Sequence, residues 1–242
     1  MPNSWPIRLS FGIELPLNEF VGKDAPDATP LAHEELLGLI PTWIATRSDL
    51  NLAEFTNVNA AQTTPSWQKM PTEKLLDDLQ LRRLHKAMFG NVWVWAGQYR
   101  TRNMNIGFDF ARVALEVRNL LEDARFWFRE SSTEQLEADA CQLHHRLVSI
   151  HPFANGNGRH ARFYTDLILQ SKSLPAFSWG GANLVDPSDN RSRYITALQL
   201  ADRGDLTALK EFVRSSLDVV KRRHRRLQSR QSPDNLSCLS SS

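Results

Sequence analysis

Only two cysteines, Cys141 and Cys238, occur in the 242 residues. One sits within a helical pattern and the other in a polar tail, so no disulfide framework is implied and a reducing, cytoplasmic setting is expected. An excess of one charge sign is also missing. A formal net charge of +2 gives no general case for nucleic-acid or membrane binding. No stretch approaches the ~20 apolar residues of a membrane span. The opening Met1-Pro-Asn-Ser-Trp-Pro6 lacks the basic flank and apolar run of a secretory signal. Internal repeats are absent, and so is the Gly-x-x-x-x-Gly-Lys-Ser/Thr pattern, which excludes the common P-loop. What is present is 41% apolar residues and seven tryptophans, enough for a sizeable core in one main domain.

Residues 1–32 are rich in proline and polar groups and read as an N-terminal arm. The main domain is expected over 33–220. The run Lys221-Arg-Arg-His-Arg-Arg226 opens a tail over 221–242 that becomes serine-rich and is expected to be disordered. Its basic stretch reads as a solvated helix end rather than a nucleic-acid site. Within the domain, the spacing predicts a helix near 48–62, capped by Ser48, with Leu52, Phe55 and Asn59 along one side before the Thr-Thr-Pro break. A second spans 73–89, with Leu75, Leu76, Leu79, Met88 and Phe89 in helical register and Gly90 as its stop.

Helices at 111–129 and 133–150 follow, the latter with Ser132 and Gln135 in capping-box spacing and a buried stripe of Leu136, Ala140, Leu143, Leu147 and Ile150. Another helix, from Arg159 to about Gln170, carries Ala161, Tyr164 and Ile168 on one side, and two more lie near 190–202 and 205–220. Residues 92–108, with Val92-Trp-Val-Trp95, Tyr99 and Ile106, suggest aromatic anchoring followed by a short hairpin near 101–107, the one plausible β element. The fold class is mainly α, a helical bundle with one hairpin flap.

The chemistry concentrates in His151-Pro-Phe-Ala-Asn-Gly-Asn-Gly-Arg-His-Ala-Arg162. Glycine tolerates positive φ, so the amides around Gly156, Asn157 and Gly158 can turn inward as a nest for anionic oxygens. The loop also opens a helix, whose N-terminal N–H groups and dipole attract phosphate. Arg159 and Arg162 lie three apart on the first helical turn, where both planar forks can meet phosphate oxygens. His144 and His145 point about 100° apart on their helix and cannot easily share a metal ion with His151, so packing is expected of them. Helical phase turns His160 away from the arginines, toward the surface.

These residues resemble the motif of the Fic family, His-x-Phe-x-Asp/Glu-Gly-Asn-Gly-Arg-x-x-Arg. Trp95-Ala-Gly-Gln-Tyr-Arg-Thr101 and Asn105-Ile-Gly107 resemble the family's flap region, and Tyr194-Ile-Thr-Ala-Leu198 and Ala201-Asp-Arg-Gly-Asp205 its C-terminal helices. More narrowly, Gly38-Leu-Ile-Pro41 followed by Thr46-Arg47 resembles a branch called mobile mystery protein B. The resemblance implies transfer of AMP from ATP to a hydroxyl side chain of a target protein. It implies His151 as general base and Phe153 as an anchor of the loop in the core. Gly156, Asn157 and Gly158 would line the anion hole, while Arg159 and Arg162 hold the phosphate tail. Thr101, Arg102, Asn103, Met104, Asn105, Ile106 and Gly107 would form the target-binding flap, registering the target by strand addition. Tyr194 and Leu198 are candidates for the nucleobase wall, though a tyrosine on an apolar helical face usually just packs.

Two departures follow from the same resemblance. Asn155 stands where the family carries an acidic ligand for Mg²⁺. An amide oxygen can coordinate magnesium but adds no negative charge. Reduced transfer, another donor or removal of AMP, and a nucleotide-binding module with little turnover all stay open. The family's inhibitory Ser/Thr-x-x-x-Glu-Gly/Asn motif has no clean copy either. Glu54 is the best-placed inhibitory glutamate, expected to reach Arg162, although Leu50 and Phe55 break the pattern. A separate helical antitoxin supplying that glutamate is the alternative. The target protein and the oligomeric state stay open.

Overall fold

Capping side chains set where the helices of this protein begin. The structure, a computed structural model, describes residues 36–181 and 187–215 together with strands β1 (Ile7–Arg8) and β2 (Glu14–Leu15). Most of the N-terminal arm and all of the 221–242 tail lie outside the described residues. The described chain divides into two compact units between Ala176 and Phe177.

In the first unit, β1 and β2 pair antiparallel, Ile7 opposite Leu15 and Arg8 opposite Glu14. Helix α1 (Arg47–Gln62) starts from Thr46, not Ser48: Thr46 Oγ1 accepts from the Asp49 amide at 3.1 Å and Asp49 Oδ2 accepts from the Thr46 amide at 2.9 Å. This reciprocal box satisfies two amides that a helix start leaves open, which a lone serine could not do. Two single-turn helices follow, α2 (Pro65–Gln68) and α3 (Thr72–Leu75), and then α4 (Asp78–Phe89). The helix expected over 73–89 is thus broken at Leu76–Asp77, because the Asp77 carboxylate accepts from the Gln80 amide and opens a new helix. Leu75, Leu76, Met88 and Phe89 are buried as expected, while Leu79 is exposed.

Helices α5 (Val113–Glu130), α6 (Thr133–Ile150) and α7 (Asn157–Ser171) complete this unit. The stripe Leu136, Ala140, Leu143, Leu147 and Ile150 is buried throughout, packed between α5 and α7. Ser132 precedes α6 without making the expected capping bond. Helix α4 lies against both α1 and α7, and from α7 Ala161, Tyr164 and Ile168 are buried.

Helix α1 reverses the expected face. Leu52 and Phe55 are exposed, as is Asn59, and the buried side is Leu50, Ala53, Glu54, Val58 and Ala61. Helix α1 packs on α4, and the carboxylate on its buried side has partners described below.

The hairpin expected near 101–107 does not form. Successive turns follow α4 instead: the Val92 and Trp93 amides both donate to the Phe89 carbonyl, Ala96 to Trp93 and Gln98 to Trp95. Trp93 makes one isolated bridge, to Leu39. Residues 101–108 contain bends and extended links without strand. The physical reason is Arg100, whose buried guanidinium donates to the Arg102 and Phe108 carbonyls, acceptors that hairpin pairing would otherwise use.

The second unit contains α8 (Pro187–Ala201) and a further helical stretch over 207–215. Here Tyr194 is buried with its ring 5.5 Å from Phe212, and the Ser178 amide donates to the Val213 carbonyl at 2.8 Å.

Candidate active site

The buried stripe of α6 delivers the chain into His151, which ends the helix in the left-handed region at φ 54°, ψ 61°. A non-glycine residue there is strained by ~1–3 kcal/mol and persists only where its surroundings hold it. Arg100 holds it. Its Nε donates to the His151 carbonyl at 2.7 Å, and its amide donates to the Pro152 carbonyl at 2.9 Å. The Phe108 amide reaches the Ile150 carbonyl at 3.4 Å. The flap segment is therefore fastened at both ends to residues 150–152, with most of 101–107 exposed beside them.

His151 itself is buried, and burial, with a smaller push from the Arg100 charge, lowers its pKa to about 4; the Val148 carbonyl opposes weakly. The imidazole is therefore neutral at neutral pH, the form that accepts a proton. Gly107, at φ 101°, lies so close that a Cβ would stand 2.7 Å from His151 Cβ.

After His151 the loop is anchored inward. Phe153 is fully buried, as expected of an anchor, and stacks on His85 at 3.8 Å. Asn157 clasps it: Oδ1 accepts from the Phe153 amide at 2.9 Å and Nδ2 donates to the Phe153 carbonyl at 2.7 Å. The Asn157 side chain therefore closes the loop rather than lining the anion hole. The Gly156 amide is also engaged, donating to Asn155 Oδ1 at 2.7 Å. Helix α7 begins immediately after, with its N-terminus at the loop.

The two loop glycines serve different needs. Gly156 is left-handed at φ 78°, and a Cβ there would stand 2.5 Å from the Phe89 ring. At Gly158 a Cβ would meet nothing within 4 Å, so this side of the loop is open. Gly156→Ala is expected to destabilise the fold by ~1–3 kcal/mol through strain and overlap. Gly158→Ala should melt at or above the wild-type temperature yet bind tripolyphosphate at least about tenfold more weakly. Thermal melts paired with tripolyphosphate titrations check both, and unimpaired binding by Gly158→Ala would remove the anion from this face.

Arg159 lies over the Phe89 ring, with Cζ 4.9 Å from its centroid, and Nη2 pairs with Glu54 Oε2 at 2.7 Å. Glu54 is 3% exposed. Its other oxygen accepts from the Trp93 indole at 2.7 Å and from Asn155 Nδ2 at 3.2 Å. The inhibitory candidate thus meets the first arginine of the loop, not Arg162 as expected. The turn after α4 brings Trp93 under α1, and the indole holds the carboxylate on the Phe89 side, where Arg159 is stacked. Arg162, half-buried, contributes positive charge that, after burial, helps depress the pKa of His144 to about 3.

At Asn155 a magnesium ion would meet a single neutral amide oxygen. Asn155 Oδ1 is bound to the Gly156 amide and Nδ2 is turned to Glu54, so the residue presents an occupied, uncharged oxygen. Among the described residues no group of three or more His, Cys, Asp or Glu side chains comes together as a metal site.

Tyr194 and Leu198, the nucleobase candidates, belong to the second unit. His144 is buried as expected, but His160 is not at the surface. It is 1% exposed, with Nε2 3.0 Å from the Leu81 carbonyl and its ring edge-on to Phe153 at 5.0 Å. Residues of the site that sequence reasoning does not single out are Arg100, Trp93 and His85. A buried arginine and tryptophan within Trp95-Ala-Gly-Gln-Tyr-Arg-Thr101 and its approach are visible as composition, but their partners lie 39 to 51 residues away.

Known proteins resemble this chain in sequence and in fold. Residues 75–169 match the model of the Fic/DOC family. The "Protein adenylyltransferase fic-1" of Caenorhabditis briggsae is 32% identical over 142 residues, covering 57% of this chain and 26% of that protein. This chain spans about a quarter of the length of such curated relatives. The structure of Fic-1 from C. elegans aligns with a TM-score of 0.53 at 20% identity, covering 81% of this chain and 57% of that one. BepC of Bartonella tribocorum, solved with bound AMPPNP, aligns at 0.56 and 16% identity, covering 76% and 97%. These likenesses reach the family and name no branch within it. The motif, the helical bundle and the match over residues 75–169 make this part of the chain similar to the Fic/DOC family.

Proposed function

We propose that this domain is a protein adenylyltransferase, moving AMP from ATP to a Ser, Thr or Tyr hydroxyl of a target protein. The observation that carries the reading is a neutral imidazole, His151, fixed beside a helix N-terminus that bears Arg159 and Arg162. His151 takes the proton of the target hydroxyl as its oxygen forms a bond to the α-phosphorus. The bond from that phosphorus to the α,β-bridging oxygen breaks, and pyrophosphate leaves. Amides at the start of α7 and the two arginines stabilise the charge on the departing phosphates. Residues 101–107, tied at both ends to 150–152, are suited to lay a target main chain beside His151.

The name of the fic-1 relative and the AMPPNP bound by BepC support ATP as donor. Glu54, paired with Arg159, is the restraint on this activity. It places within the chain the carboxylate that an antitoxin would otherwise bring. The cytoplasm, where ATP is abundant, is the setting that suits the reaction.

The experiment compares ATP labelled at the α-phosphate with ATP labelled at the γ-phosphate, using Glu54→Ala chain with a mixture of candidate acceptor proteins. The expected result is protein-bound α-label, no protein-bound γ-label, and pyrophosphate in equal amount. Protein-bound γ-label would instead identify phosphoryl transfer.

A further inference from the structure

His85, on α4, is 0% exposed and lies 70 residues from the loop it touches. Its Nδ1 accepts the Gly97 backbone N–H at 3.0 Å. A backbone amide can only donate, so the ring proton of the neutral imidazole sits on Nε2. That nitrogen stands 3.0 Å from the Asn155 carbonyl and donates to it. Burial is the main reason that the ring stays neutral, so this tautomer is the working form. The ring is clamped by stacking on Phe153 at 3.8 Å and by Phe89 at 4.8 Å.

The peptide that His85 grips is the one joining Asn155 to Gly156. Its carbonyl is held by His85, and its N–H by the Asn155 side chain at 2.7 Å. Gly156 follows at φ 78°, and α7 starts at the next residue. Rotation of this peptide would move the left-handed turn and redirect the amides that open α7. The Gly97 turn on the other side of the ring is itself held, its carbonyl accepting from Arg82 Nε at 2.9 Å. Three residues on from Gly97 comes Arg100, which holds His151. One imidazole therefore connects the segment that fixes the base to the loop that receives the anion.

We propose that His85 is a positioning residue for nucleotide binding, its Nε2–H setting the orientation of the Asn155–Gly156 peptide and so the aim of the anion-binding amides. This role rests on the reading of the loop as an ATP phosphate site. Two near-isosteric variants separate the two bonds. Glutamine places an N–H near the His Nε2 position and retains the donation to Asn155. Asparagine places an oxygen near the Nδ1 position and retains the acceptance from Gly97 alone. Each loses one buried hydrogen bond, so a merely structural role costs both variants about equally in melting temperature and leaves the binding of their folded forms alike.

The test is calorimetric titration of ATP with magnesium into the full chain carrying Glu54→Ala, and into the same chain with His85→Gln or His85→Asn, each checked by circular dichroism and thermal melting. The expected result is affinity within about threefold of the parent for His85→Gln and a loss of about tenfold or more for His85→Asn, at similar melting temperatures. Equal affinities for the two variants, or a greater loss for His85→Gln, overturn the role of His85 while leaving the ATP site standing. Absence of ATP binding by the parent overturns the ATP reading and this role with it.

Discussion

Replacing His151 by alanine is expected to lower AMP transfer about 10²- to 10⁴-fold while leaving ATP affinity within about threefold. The first number is the usual worth of a positioned base. The second follows because the proposed phosphate contacts come from α7 and its arginines, which the substitution leaves in place. The pH profile adds a sharper check. A pKa of about 4 keeps His151 unprotonated through the neutral range, so the acid limb of kcat/KM falls near pH 4 instead of near the ordinary value of 6.5. An acid limb centred near 6.5 would remove His151, in this environment, from the role of base.

Stability must be followed in parallel, because the same burial makes the fold acid-sensitive. His144, His151 and His160 have pKa values lowered to about 3, 4 and 4, burial being the first cause in each. Above pH 6.5 both folded and unfolded chains carry these rings neutral, and they make no difference. As pH falls from 6.5 toward 4, the unfolded chain takes up protons that the folded chain refuses, so stability falls. Every tenfold loss of proton affinity on folding is worth about 1.4 kcal/mol, so the three rings together cost several kcal/mol. The melting temperature should drop steeply across that window, and transfer is to be normalised to the folded fraction.

Removing the Glu54 carboxylate is expected to raise ATP affinity about tenfold or more, read by calorimetry, and to raise transfer with it. Glu54→Ala frees the Arg159 fork, now paired at 2.7 Å, to meet phosphate oxygens. The variant should also melt lower, since it leaves the half-buried Arg159 without its counter-charge and the Trp93 indole without its acceptor. A gain in binding together with a loss in stability distinguishes a restraint from a simple support. Asn155→Asp refines the test. It replaces the Asn155 Nδ2 donation to Glu54 by two carboxylates about 3 Å apart, which repel. Alone it should raise ATP affinity, and in the Glu54→Ala background it should add nothing. Additive gains in the double variant would mean that position 155 acts on the nucleotide directly rather than through Glu54.

Much of this is legible in the residues alone. The spacing of Leu136, Ala140, Leu143, Leu147 and Ile150 identifies the buried face of α6, and the loop from His151 to Arg162 announces its chemistry by residue type. Both are local properties, in which residues a few positions apart must share one helical face or one turn. The structure departs from expectation in two main ways. On α1 Leu52 and Phe55 mark a face that is exposed, while the buried face combines Leu50 and Val58 with two alanines and a glutamate. Periodicity measures which residues share a side, and a helix with apolar groups on both sides leaves the choice to its neighbour. In the 92–108 segment, aromatic and β-branched residues favour strand, but a buried arginine takes the carbonyls that a hairpin needs.

The sequence by itself determined a helical domain, its main apolar stripe, and the residues of the candidate anion loop and candidate base. Tertiary structure alone decided that Glu54 pairs with Arg159, that Asn155 turns its amide to Glu54, that Arg100 holds His151 in a strained turn, and that His85 grips the loop. Those contacts join residues 51 to 105 positions apart. No periodicity spans such distances. A hydrogen bond is made or lost over less than an ångström, and only the packing of α1, α4 and α7 brings these groups within that tolerance.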